Sequence, residues 1–250
     1  MSNQPGPTPR DYIAELNPPK RPIARRVLSF CSHPRKSLAF RSRPKLTPYL
    51  QKYHKHKLAA KMNLDFLSLR PNHAYEPDFS DFWFLYKTVR RRKPRVVLEF
   101  GSGGSTVVIA RALLDNKIQS PECAGYLYSI DDQEYWANTT RSMIPPELKE
   151  ICEVIHVPTV ELDWDGHPTF RHSRLPVFTP DLIYLDGPTL RKDRKIAVDV
   201  LEMEPKFQPG FLLIIDGRTA NSEFLKDYLT KPYACKERTL YNNTVLELFS

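Results

Sequence analysis

Four acidic residues stand at points of the sequence where carboxylates can do chemistry. Glu99 interrupts the apolar run RVVLEF, and Asp131, Asp186 and Asp216 each come at the end of another short apolar run. A carboxylate can accept hydrogen bonds from ribose hydroxyls, take a proton from a hydroxyl or amine, or ligate a divalent ion. Which of these roles applies depends on the elements that position the acids.

The stretch RVVLEFGSGGSTVVIARA predicts a strand, a glycine turn and a helix. The apolar run before the glycines is short and rich in β-branched residues, which indicates a buried strand. Gly101, Gly103 and Gly104 let the backbone turn sharply and approach a ligand with no Cβ in the way. Ser105 or Thr106 is the expected N-cap of the helix. Together these elements predict a small-molecule site.

The glycine spacing narrows the class of ligand. Counted from Gly101, the sixth position is Thr106, so the dinucleotide fingerprint lacks its last glycine, and a Walker loop would need a Gly-Lys pair that is absent. The pattern E-x-G-x-G-G resembles that of the class I S-adenosylmethionine-dependent methyltransferases, in which the turn lies against the methionine part of the cofactor. A tight turn in another α/β domain is the alternative. The resemblance implies cofactor contacts at Glu99, Gly101, Ser102, Gly103 and Gly104.

A second segment, YSIDDQEYW, is also similar to a segment of bacterial members of this family. An acid at the end of the second strand accepts hydrogen bonds from both ribose hydroxyls of a nucleoside. Asp131, the first acid after the apolar run, is our choice for this role, and Asp132 is the second. The 28 residues from Gly103 to Asp131 exceed the dinucleotide pattern of about 20, so we expect an intervening loop. Capping of the next helix is the alternative role for either acid.

The runs DLIYLDG and FLLIID predict a fourth and a fifth strand. Ligands of doubly wound sheets bind outside the carboxyl ends of the strands, so Asp186 is expected to face the same crevice as Gly103. In the resembled family the residue ending the fourth strand lies close to the transferred methyl. The resemblance therefore implies that Asp186 is catalytic, either accepting a proton or holding the acceptor.

A divalent metal is the alternative role for the same acids. Metal-dependent catechol-type O-methyltransferases are similar in these two segments, and Asp186 and Asp216 match their aspartates. Gly217 stands where those enzymes carry Asn, although Asn221 follows one helical turn later. We therefore expect no metal and keep Asp186 and Asp216 as the candidate ligands if one binds.

A long connection, 158–180, follows the third predicted strand, ICEVIHV. A structureless connection of this length in a compact domain is usually a lid or a binding loop. The resemblance implies adenine contacts at Val160, Glu161 and Leu162, and Trp164 is a candidate to close over a substrate. A solvated surface loop is the alternative.

The remaining elements complete an α/β fold. Apolar spacing predicts helices over 78–92, 190–203 and 219–229, and the pair Asn242-Asn243 predicts a hairpin between 237–241 and 244–249. We expect a three-layer, doubly wound, mostly parallel seven-stranded sheet with an antiparallel C-terminal hairpin. This is the Rossmann-like methyltransferase fold, and we assign it to 72–250.

Charge is distributed unevenly along the chain. Residues 1–62 hold fourteen Lys and Arg against two acids, a net charge of +12, whereas the remaining 188 residues hold 23 basic and 27 acidic residues, a net of −4. We assign 1–71 to a basic, Pro-rich, partly disordered arm. Polyanion contact is one expectation for it, and a solvated arm packed loosely on the body is the other.

Cysteine and hydropathy patterns set the expected compartment. The four cysteines form no C-x-x-C pair, which argues against a zinc site or a disulfide framework. No apolar run approaches the ~18 residues of a transmembrane helix, and the first residues do not resemble a signal peptide. We expect a cytoplasmic protein without a transmembrane segment.

The expected function is methyl transfer from S-adenosylmethionine to an oxygen or nitrogen of a small-molecule or glycan-type acceptor. Two alternatives stay open. One is an RNA methyltransferase that uses the basic arm on the phosphate backbone. The other is a non-catalytic nucleoside-binding domain of the same fold.

Overall fold

A seven-stranded sheet forms the centre of the computed structural model, which describes residues 47–191, 196–238 and 241–249. The strand order is β3-β2-β1-β6-β7-β9-β8, and β9 is antiparallel to both of its neighbours while the other pairs are parallel. This topology confirms the predicted fold class. The strands of the sheet are β1 Val96–Phe100, β2 Tyr126–Asp131, β3 Cys152–His156, β6 Leu182–Leu185, β7 Leu212–Asp216, β8 Tyr233–Arg238 and β9 Asn243–Leu248.

Helices cover both faces of the sheet. The first, α1, spans 47–59, and a further five follow it in the described residues. Asp78 caps α2 by accepting hydrogen bonds from the backbone N–H groups of Ser80 and Asp81, at 2.8 and 3.1 Å. The later helices are α2 Phe79–Arg92, α3 Gly104–Gln119, α4 Glu134–Met143, α5 Asp199–Met203 and α6 Thr219–Tyr228.

Two apolar cores lie on opposite faces of the sheet because successive side chains of a strand point in opposite directions. In β6, Leu182 and Tyr184 join the core beneath α1 to α4, whereas Ile183 and Leu185 join the core beneath α5 and α6. Both sets are buried to 3% exposure or less, as expected for parallel strands covered on both faces. The sheet is therefore the middle layer of three.

The connection 158–180 is mainly a β-hairpin, so the prediction of a structureless loop was wrong. Strands β4, Thr159–Trp164, and β5, His167–His172, pair antiparallel. Asp165 and Gly166 link them with φ values of 52° and 79°, which is the conformation that an Asp-Gly pair favours in two-residue hairpins. The sequence therefore contained a usable turn signal.

The predicted helix over 190–203 is also corrected. In the described part of this stretch, 190–191 and 196–203, only Asp199–Met203 is helical. Ile196 and Val198 lie outside the helix, because their backbone groups form hydrogen bonds with the Phe170 backbone of β5, both 3.1 Å long. This pairing joins the hairpin to the body of the protein.

The C-terminal hairpin forms as predicted, but its first strand lies earlier in the chain. Of the predicted strand over 237–241, Glu237 and Arg238 end β8, 239–240 lie outside the described residues, and Tyr241 is in a turn before β9 begins at Asn243. Asn242 adopts φ 56°, the positive value that asparagine tolerates better than most residues.

Much of the basic arm, 1–46, lies outside the described residues. The part that the structure describes, 47–71, is folded onto the domain. Leu58 of α1 is fully buried in the core, and Gln51 donates a 2.6 Å hydrogen bond to Asp78 at the start of α2. No helix in the described residues is long and apolar enough to cross a bilayer.

Candidate active site

The turn after β1 packs directly on the turn after β6. Gly101 adopts φ +91°, and a Cβ on it would lie 2.8 Å from the Cα of Gly187. The Asp186 backbone N–H donates to the Phe100 carbonyl at 2.9 Å, and the Gly187 N–H donates to the same carbonyl. Glycine is required at Gly101 by both its conformation and this approach of two backbones.

Gly103 is different, because neither its φ value nor close packing requires a glycine at this position. Its φ of 170° is extended backbone, and none of the described residues lies within 4 Å of where its Cβ would be. The space above this residue is open and lies at the N-terminus of α3, which begins at Gly104. The prediction that Ser105 or Thr106 caps this helix was wrong, although the Thr106 hydroxyl accepts a 2.9 Å hydrogen bond from the Gly103 N–H.

Asp131 lies against the glycine turn. One carboxylate oxygen accepts hydrogen bonds from the backbone N–H and the hydroxyl of Ser102, at 2.9 and 2.7 Å, and the other accepts from the Gln133 N–H at 2.9 Å. Only 4% of the residue is exposed. The carboxylate therefore holds the ends of β1 and β2 together. It does not cap α4, whose N-cap is Gln133.

Glu99 is fully buried on the α3 side of the sheet. It accepts hydrogen bonds from the hydroxyls of Thr106, at 2.5 Å, and Ser129, at 2.6 Å. Burial raises its pKa to about 7, while the hydroxyl hydrogen bonds oppose the rise. Since none of its surface is exposed, Glu99 supports the turn through Thr106 rather than lining the crevice.

A cavity of about 330 Å³ opens beside Asp132. Asp132 accepts a 3.0 Å hydrogen bond from the Thr189 N–H, which ties the end of β2 to the loop after β6. The cavity is lined by Asp132, Gln133, Pro158, Thr159, Thr189 and Arg191.

The residues that the resemblance implied for adenine lie in β4, outside this lining. Glu161 forms a 2.7 Å ion pair with Arg191, which lines the cavity. Trp164 packs against the core beneath α5 and α6. A role for Trp164 in closing over a substrate stays a prediction.

Asp186 directly follows β6 and has one side exposed to solvent. Protein surrounds the group on its other sides, and this desolvation raises its pKa to about 6. The Arg218 guanidinium opposes the rise. Arg218 is only 6% exposed and donates a hydrogen bond to the Pro188 carbonyl. It therefore fixes the loop that carries Asp186.

Two further carboxyls lie next to this loop. Burial and the charge of Asp186 raise the pKa of Asp216 to about 7, and Tyr184 donates a 2.7 Å hydrogen bond to it. Asp81 of α2 is 5% exposed, and burial together with Asp216 raises its pKa to about 9. Like charges in one desolvated region disfavour simultaneous ionisation, so these interactions favour the neutral form of Asp81. It accepts a 2.8 Å hydrogen bond from the Asn243 side chain.

Solved structures with a similar fold are methyltransferases. One is the O-methyltransferase TomG from Streptomyces achromogenes, involved in tomaymycin synthesis and solved with S-adenosylmethionine, at 15% identity and TM-score 0.50. Another is a candidate caffeoyl-CoA O-methyltransferase from Staphylococcus aureus, at 13% identity and TM-score 0.51. Each match covers 82% of this chain and 99% of the other. The chain has the methyltransferase fold.

No protein-family model matches the chain, and no curated protein matches it. At these identities the shared feature is the fold, and the methyltransferase fold puts the turn after β1 and the ends of β2, β6 and β7 at one edge of the sheet. Ser102 and Asp131 meet there through hydrogen bonds, whereas Glu99 is hydrogen-bonded to Thr106 and Ser129. Asp186 lies across the Gly101–Gly187 contact.

The acids of this methyltransferase fold do not form a recognisable metal centre. Among residues 47–191, 196–238 and 241–249, no group of three or more His, Cys, Asp or Glu side chains is arranged to hold a metal ion. Asn221 does not replace the missing ligand, because its amide exchanges hydrogen bonds of 2.8 and 2.9 Å with the Ala197 backbone.

Sequence reasoning missed Asp81 and Arg218. Asp81 lies in the first turn of an ordinary amphipathic helix, and nothing local distinguishes it from a solvated acid. Arg218 follows β7 within the loop at the carboxyl end of the strand, which is a position where ligand-side residues are expected in such folds.

Proposed function

We propose that the protein transfers a methyl group from S-adenosylmethionine to an oxygen or nitrogen of a small-molecule or glycan-type acceptor. The observation that carries the proposal is the unfilled space over Gly103, at the N-terminus of α3. Neither backbone strain nor packing against the described residues requires a glycine there, whereas a ligand lying against the turn does.

The residues around the turn fit this cofactor. In the proposal, the turn 101–104 contacts the methionine part, Asp131 and Asp132 serve the ribose, and the cavity beside Asp132 receives the base. Asp131 already accepts three hydrogen bonds, and a carboxylate with about four lone-pair sites has room for one more. When bound, the cofactor supplies a methyl on a positively charged sulfur, which is a good electrophile.

Asp186 is the proposed catalytic residue. With a pKa of about 6 it is ionised at neutral pH and still basic enough to take a proton from an acceptor hydroxyl or amine. Arg218 keeps the loop in place and limits the rise in the Asp186 pKa. The main task of the chain is then to place the acceptor in line with the methyl group.

Cofactor titration by calorimetry tests the proposal. We expect the wild type to bind S-adenosylmethionine and Gly103→Val to bind it at least about tenfold more weakly, since the new side chain occupies the cofactor volume. Gly103→Ala is the graded control, and the melting temperature of both variants should match the wild type. No binding by the wild type, or full affinity in Gly103→Val, would refute the proposed cofactor site.

A further inference from the structure

Helix α1 presents a basic face that no function described above uses. Within 47–62 the only charged residues are lysines, Lys52, Lys55, Lys57 and Lys61, and all four are exposed. The acid-free stretch is longer still, because no Asp or Glu occurs anywhere in 16–64, which holds thirteen Lys and Arg.

Two aromatic side chains share this face. Tyr49 is 77% exposed and Tyr53 is 54% exposed, and residues four apart lie one above the other on a helix. The Lys57 ammonium lies 5.4 Å from the Tyr53 ring centroid. Tyrosine and lysine are the side chains that settle at the headgroup level of a bilayer, where a ring has an apolar body and a polar end.

The opposite side of α1 is held firmly by the domain. Leu58 is buried in the core, the His54 ring nitrogen lies 3.0 Å from the Ser80 hydroxyl, and the Gln51 side-chain carbonyl accepts a 2.7 Å hydrogen bond from the Phe79 N–H. The lysines therefore stand on a rigid support whose outer face is free of large aliphatic side chains. Such a face suits attraction to a charged surface and gives little apolar area for deep insertion.

We propose that the outer face of α1 docks the protein on an anionic lipid surface, with α1 lying along the headgroups. Clustered Lys and Arg residues are attracted to anionic lipids at close range, and the arm that precedes α1 adds to the same charge. The inference goes beyond the proposed function and does not depend on it.

The acids near α1 favour a membrane over a nucleic acid strand. Gln51 hydrogen-bonds to Asp78 at the start of α2, and Asp78 lies near Asp216 of the crevice. A strand running from α1 into the crevice would bring its phosphates close to these carboxyls. A lipid surface touches only the outer face of α1 and avoids them.

Vesicle sedimentation with the full-length protein tests the proposal. We expect binding to phosphatidylcholine vesicles only when they contain phosphatidylglycerol, and release at 1 M salt, where the Debye length falls to about 3 Å. Lys52→Glu/Lys57→Glu should weaken binding by at least about tenfold, because each basic residue near the surface contributes about fivefold. Tyr49→Ser/Tyr53→Ser should weaken it by a smaller factor.

The matched control is Lys117→Glu/Lys149→Glu, which makes the same charge change at two exposed lysines outside α1. It should retain most of the binding, and all variants should keep the melting temperature of the wild type. Equal loss in the control, equal binding to neutral vesicles, or binding of a single-stranded RNA in place of the vesicles would each overturn the proposal.

Discussion

The sheet edge at the crevice has two halves, one at the ends of β1 and β2 and one at the ends of β6 and β7. They differ in the groups that surround their acids. On the β1–β2 side, hydroxyl and backbone N–H groups donate to both oxygens of Asp131 and to one oxygen of Glu99. On the β6–β7 side, burial raises the pKa of Asp186, Asp216 and Asp81, and the charge of Asp186 adds to the rise at Asp216 and Asp81. Hydrogen bonds therefore oppose the rise in the Glu99 pKa that burial causes, whereas neighbouring carboxylates add to the rise at Asp216 and Asp81.

The sharpest test of this contrast is Asp186→Asn. Removing a general base typically costs about 10²–10⁴-fold in turnover, whereas cofactor affinity on the other side should hardly change. In the wild type, kcat should fall as pH drops through about 6, because protonated Asp186 accepts no proton. Rates measured from pH 5 to 8 check this.

Asp132→Asn is the control for Asp186→Asn, because it makes the same change in the other half and should leave that pH profile intact. A turnover number for Asp186→Asn equal to the wild-type value would remove Asp186 from the chemistry.

A second comparison separates the two glycines of the turn. Gly101→Ala should destabilise the fold by about 3 kcal/mol or more, since its Cβ would collide with the Gly187 backbone at a strained φ. Gly103→Ala meets no such obstacle and should change the free energy of unfolding by less than about 0.5 kcal/mol. Urea denaturation measures both, and a similar loss in the two variants would contradict the distinction.

Glu99→Gln tests whether burial raises the pKa of Glu99. Folding raises the Glu99 pKa from its usual 4.5 to about 7, so the neutral carboxyl is favoured in the folded state. The stability of the wild type relative to the variant should therefore be greatest below pH 4.5 and fall by about 3 kcal/mol as pH rises through 7. Denaturation at several pH values gives this difference, and a flat difference would show that Glu99 is ionised normally.

The smallest effect is expected for variants that remove contacts to the ribose of the proposed cofactor. Asp131→Ala should weaken cofactor binding by about 1.5–3 kcal/mol through the loss of charge-assisted hydrogen bonds. Asp132→Ala, one residue later and partly exposed, should weaken it less. Calorimetry ranks the pair, and wild-type affinity in Asp131→Ala would mean that the wrong acid was chosen.

The parts of the fold that follow from local pattern were predictable. Short apolar runs located the parallel strands, and the glycines and acids at their ends located the crevice, because a doubly wound sheet brings those ends to one edge. Asn242 indicated the C-terminal hairpin, although β8 lay earlier in the chain than expected.

The parts that depend on distant partners were not predictable. Ile196 and Val198 have helical spacing, yet their backbones pair with Phe170 of a hairpin that comes earlier in the sequence. Asp81 reaches the crevice only because α2 begins beside the end of β7. Arg218 is informative only when its contact with the Pro188 carbonyl is known.

The contact of Gly101 with Gly187 has a consequence for how such a protein can diversify. Because the two loops touch through their main chains, a side chain gained by one has to displace the other. The turn after β1 and the loop after β6 are therefore kept at a fixed spacing by main-chain contacts, with no contribution from side chains. Under the proposed function, mutations can reshape the surrounding walls for a new acceptor while the distance between the cofactor turn and the acceptor loop stays the same.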